Sequence, residues 1–77
     1  MASTTKNFSA RELLVLNVLR LRGERGWSQE QLALQGGFHR TFITQVERQV
    51  RNVSLDNLEK LANALGVEMG DLFVRPK

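Results

Sequence analysis

The chain has 77 residues and a formal net charge of +3, with one histidine and no cysteine. Such a length holds one modest core, and the mild basicity permits a polyanionic partner without demanding one. Without cysteine there is neither a disulfide framework nor a thiolate metal site, which suits a reducing cytoplasm.

Residues 1–7 are polar and lack an apolar run, so they are expected to be neither a signal peptide nor an ordered segment. The first strong signal is Ser9–Ala10–Arg11–Glu12. There the serine can accept from the amide of Glu12 and the carboxylate can reach back, a capping box flanked by Phe8 and Leu13 as a hydrophobic staple. Leu14, Val18 and Leu21 share a face, and Gly23 offers a left-handed residue to close the helix, predicting helix 1 over 10–22. The apolar-rich stretch 13–21 is interrupted by Asn17 and Arg20 and is too short to span a bilayer.

Ser28–Gln29–Glu30–Gln31 repeats the capping box, with Trp27 and Leu32 as staple, and Gly36–Gly37 ends a short helix over 29–35. Phe38, Phe42, Ile43 and Val46 restart the apolar pattern and predict a third helix over 39–48. Ser54 caps a fourth, whose stripe is Leu55, Leu58, Leu61, Ala62 and Leu65, stopped by Gly66. A last short helix over 68–73 carries Met69, Leu72 and Phe73, and Pro76 ends it. No strand pattern, repeat or linker competes. The expected fold is all-α, one compact five-helix domain over 1–77.

Residues 29–48 form the constellation that carries function. Ala33 is small enough for two helices to cross closely, Gly37 supplies a positive φ in the turn between them, and Ile43 and Val46 pin the second helix to the core. The opposite face of that helix is then free for the major groove of duplex DNA. His39, Arg40, Thr41, Thr44 and Gln45 are the candidate readers. Arginine can bind guanine O6 and N7 together, glutamine can pair with adenine, and a threonine methyl can touch that of thymine. His39, at the start of the helix, either touches a phosphate or base edge or is an exposed helix-start residue. Gln29 can hold a phosphate at the start of helix 2, and Arg48, Arg51 and Asn52 can grip the backbone beyond the recognition helix. Between positions 40 and 53 three arginines face a single acid, Glu47.

Together, Ser28–Gln29–Glu30–Gln31–Leu32–Ala33, Gly37, Ile43, Val46–Glu47–Arg48 and Arg51–Asn52 resemble the phage-repressor-type (Cro/C1, Xre) helix-turn-helix over about 14–73. The run from His39 to Ile43 with that from Glu47 to Asn52 is similar to the restriction–modification controller proteins, which are dimeric regulators. The resemblance implies base contacts from Arg40, Thr41 and Gln45, and phosphate contacts near Gln29, Arg51 and Asn52. It also implies an ion pair between Arg22 and Glu47, and a dimer contact in the last helix (67–74) through Leu72, Phe73 and Val74. A half-buried glutamate needs such a partner, and a cation near the end of helix 1 is favoured by its dipole. Two positions depart from the family pattern. Gln49 stands where glycine is common, so it either adopts a left-handed conformation or extends the helix by a residue. Gly36 weakens the end of helix 2.

The expected function is a sequence-specific transcriptional regulator that binds an inverted-repeat operator as a homodimer. Double-stranded DNA, a second copy of the chain and RNA polymerase are its expected partners, with no membrane and no cofactor. Enzymatic activity is not expected, since His39 has no acid nearby in sequence, nor a metal site, since it has no second histidine. The competing class is an antitoxin or protein-interaction module of the same fold, and a third is a non-specific DNA binder. Leu16 and Leu19 lie off the helix 1 stripe and mark either a partner surface or packing against the last helix.

Overall fold

Three serines start three of the helices. Ser9, Ser28 and Ser54 each accept from the amide three residues on, at 3.0, 3.1 and 3.1 Å. At the first two caps, Glu12 and Gln31 return the bond to the serine amide at 2.8 Å. In the computed structural model, which describes residues 7–76, the helices are α1 (Ala10–Glu24), α2 (Gln29–Gly36), α3 (Arg40–Glu47) and α4 (Leu55–Leu65). The expectation for the N-terminus falls, but for Asn7, outside the described residues.

Each α-helix also ends alike. A left-handed residue (Gly26, Gly37, Gln49 or Gly66) follows the last turn, and the next amide reaches back: Trp27 to Arg22, Phe38 to Ala33, Val50 to Gln45 and Val67 to Ala62, at 2.8–3.1 Å. This double reversal satisfies carbonyls that a helix end would leave bare. It corrects the expected end of α1. Gly23 is helical, and Gly26 takes the left-handed turn at φ 65°. With the turn at Gly26, the Trp27 amide closes onto Arg22 and its side chain packs against the core.

The fifth element is a 3-10 helix (Met69–Phe73), not an α-helix. It is five residues long with Gly70 inside it and extended Val74 after it, so the tighter i→i+3 closure of Asp71 onto Glu68 is what fits. Against the sequence expectation, then, four α-helices and a 3-10 turn make the domain; among the described residues there is no strand.

α1 lies against α3 and the 3-10 helix, while α2 packs on α3 and α4. Val18, Leu32, Ile43, Leu61, Leu65 and Leu72 are fully buried where these elements meet. Each side chain of this size contributes roughly 1.5–3 kcal/mol by leaving water. Leu72 was expected on a dimer surface; its exposure is 0%, so it belongs to its own chain's core. Phe73 is half-buried against the same core, and Val74 alone of the three faces outward. Leu55, expected in the α4 stripe, is also exposed.

Among the described residues Asn17 is the one buried polar residue, at 3% exposure. Its amide nitrogen donates to Leu13 O at 2.8 Å, Leu72 O at 3.1 Å and Val74 O at 2.8 Å, and its oxygen accepts from Arg20 at 3.0 Å. This side chain binds the C-terminal segment to the middle of α1. Leu16 and Leu19 remain exposed beside it.

Candidate nucleic-acid interface

α2 and α3 are joined by Gly37 in the left-handed conformation (φ 70°). Ala33 is buried at their crossing, and Ile43, Val46 and Phe42 anchor α3 from below. Phe38 stacks on Phe42 with ring centroids 4.6 Å apart. Lys60 lies 4.8 Å from the Phe38 ring and Arg51 lies 5.0 Å from the Phe42 ring, so a cation covers each end of the pair. This four-layer stack joins α4, the turn, α3 and the segment after it. It also gives the reason for Gly36: a Cβ there would meet the Phe38 ring at 2.5 Å. The glycine that weakens α2 makes room for the ring that orients α3.

Below the helix pair sits a polar network. Arg22 donates to both oxygens of Glu47, at 3.0 and 3.1 Å, and to the carbonyl of Trp27 at 2.9 Å. Gln29 donates to Glu47 at 2.8 Å and accepts from the Thr44 hydroxyl at 3.2 Å. Gln29 and Thr44 are half-buried, the Gln29 side chain turned toward Glu47 and the Thr44 hydroxyl toward Gln29. The geometry thus makes them struts between α2 and α3, whereas the spacing alone suggested phosphate and base contacts.

The outward row differs. His39 is the N-cap of α3 without a side-chain capping bond. His39, Arg40, Thr41 and Arg48 are exposed. Arg40, Thr41 and Arg48 make no side-chain hydrogen bond or ion pair among the described residues. Gln45 is half-buried, and its oxygen accepts from Arg51 at 2.9 Å, leaving its amide nitrogen to donate. Arg51 and Asn52 are exposed after the helix. Arg48 is the C-cap of α3, and Gln49 follows at φ 61°, so the left-handed alternative is the one adopted. Sequence reasoning missed Arg11, which donates to Asn52 from the start of α1, and Asn17; partners 41 and more residues away leave no local signal.

The helix-turn-helix family profile matches residues 18–72, from mid-α1 through the 3-10 helix. The chain belongs to the helix-turn-helix family. Among its relatives, a Neisseria hypothetical transcription factor from Neisseria meningitidis serogroup B is 45% identical over 67 residues, covering 87% of this chain and 63% of the relative. Control protein C.BamHI of Bacillus amyloliquefaciens is 58% identical over 46 residues, 60% of this chain and 57% of that protein. The chain therefore spans about three fifths of the length of these two relatives. Among solved structures, the restriction-modification controller protein C.AhdI from Aeromonas hydrophila superposes with a TM-score of 0.79 at 41% identity, covering 86% of this chain and all (100%) of that one. The controller protein C.Esp1396I, solved as a tetramer in complex with its natural 35 base-pair operator, has a TM-score of 0.77 at 28% identity over 87% of this chain and 88% of that chain. No described helix is long and apolar enough to cross a membrane.

Proposed function

We propose that the chain is a sequence-specific regulator of transcription of the restriction–modification controller kind, reading an inverted-repeat operator in double-stranded DNA as a homodimer. The observation that carries this reading is the division of α3 into two faces. Ile43, Val46 and Phe42 are buried, Thr44 is tied to Gln29, and Arg40 and Thr41 stand free on the exposed side. A helix so clamped can enter the major groove without rearranging its own support. Arg40 is suited to guanine, Thr41 to a thymine methyl, and Gln45 to a base-edge acceptor through its free amide nitrogen. His39, Arg48, Arg51 and Asn52 flank the row and suit phosphates. Gln29 and Thr44 act by aiming α3.

The dimer reading draws on an apolar strip of Leu16, Leu19 and Val74, each about two-fifths exposed. Leu16, Val74 and Pro76 line one groove between α1 and the C-terminal segment. A second copy seated there would be related by a two-fold axis, as an inverted repeat requires. How the dimer affects RNA polymerase then depends on where its operator lies relative to a promoter. The test is selection of bound duplexes from a random library by the wild-type chain and by Arg40→Ala. The variant is expected to fold, yet to lose discrimination at one base pair of each half-site. An unchanged selected motif would remove Arg40 as a reader.

A further inference from the structure

Resting on that reading of the DNA-binding surface, we infer that Arg11, at the start of α1, is a further phosphate-binding residue of the same interface. Arg11 donates to the side-chain oxygen of Asn52. Arg11, Arg51 and Asn52 also share the rim of one cleft, floored by Leu14, Val53, Leu58 and Phe73. From there a continuous chain of contacts leads to the recognition helix, because Arg51 donates to Gln45 and covers the Phe42 ring. The cation of α1 is thus delivered to the place where the chain leaves α3.

Carboxylates are divided unevenly among the arginines. The ion pairs among the described residues engage Arg20, Arg22 and Arg25, whose partners are Glu24 and Glu47. Arg11, Arg40, Arg48 and Arg51 have no such pair among those residues, and all four are exposed. An arginine held by a neutral amide has no counter-charge beside it and keeps donors for an anion, whereas a carboxylate partner cancels the net charge of the pair. A guanidinium fixed at the edge of the reading surface suits the DNA backbone and carries no base information.

The test is a salt titration of binding, by fluorescence anisotropy, for wild type, Arg11→Gln, Arg11→Lys and Arg40→Ala. The probes are the duplex that the wild-type chain selects from a random library and an unselected random duplex pool. Arg11→Gln is expected to reduce the slope of log K against log salt by about 0.9, the share of one phosphate contact, on both probes. Arg11→Lys is expected to restore the slope, and the order of preferred bases is expected not to change. Thermal melting guards against a purely structural role, which would lower Tm and affinity but leave the slope alone. A wild-type slope in Arg11→Gln, whatever its affinity, overturns the assignment. Wild-type protein that binds both probes equally weakly instead overturns the DNA reading and this assignment with it, while Arg40→Ala alters only the preference.

Discussion

The guanidinium of Arg22 holds the carboxylate of Glu47 by two bonds, donating to one oxygen at 3.0 Å and to the other at 3.1 Å. The side chains are 19% and 8% exposed, so water screens the pair little. Glu47 is the last residue of α3 and Arg22 lies in the last turn of α1, so the pair fixes the far end of the recognition helix. Removing one partner leaves the other charged and half-buried. Arg22→Ala is expected to cost about 3 kcal/mol by denaturant unfolding. Replacing both by apolar residues of similar volume should restore most of that stability while loosening the aim of α3.

Gly36→Ala tests the aromatic stack. The added methyl meets a ring that cannot swing freely, since Phe42 and Lys60 hold it on both faces. Overpacking of this kind costs about 1–3 kcal/mol, although alanine is otherwise the better helix former. Melting of the variant should show a loss on the order of 4–8 °C per kcal/mol in a domain of this size. A gain in Tm would mean that the ring yields.

Gln49→Gly should act in the opposite direction. Gln49 is the only described non-glycine residue with positive φ, at 61°. Its side chain costs roughly 1 kcal/mol in that conformation, a strain that glycine relieves. The expected result is a gain of at most about that size, reduced by the greater entropy of the unfolded chain.

Much of this fold was legible because helix grammar is local. A serine cap, its partner three residues on and a staple residue all lie within one short window, and at Ser9 and Ser28 the structure has the bonds that the window implies. That α1 runs past Gly23 and ends at Gly26 was not local, since it goes with the packing of Trp27 against the core. Leu72 could not be told from Phe73 and Val74 in a segment too short to show a period. α1 is apolar on several sides, so Leu16 and Leu19 stood out as surplus without revealing what they face. The inward turn of Gln29 depends on Glu47 and Thr44, which it meets only once α2 and α3 have crossed.

Asn17 illustrates the non-local part most clearly, because two of its acceptors lie 55 and 57 residues away. Asn17→Leu would leave the Leu72 and Val74 carbonyls without that donor, at an expected cost of about 1–3 kcal/mol. The loss should be regional. Hydrogen exchange should speed up along the C-terminal segment before the α2–α3 pair is affected, and self-association should weaken as Val74 loses its fixed position. Uniform loss of protection would show instead that the C-terminal segment and the core unfold as one unit.

The most direct test of DNA reading by α3 is selection of duplexes from a random library by the purified wild-type chain at about physiological salt. The predicted result is an enriched inverted repeat whose half-site centres are about 10 bp apart, or a multiple of that, matching two recognition helices related by a two-fold axis. Failure to enrich any motif, with retention lost on modest addition of salt, would contradict it and mark the exposed row on α3 as a solvated helix face.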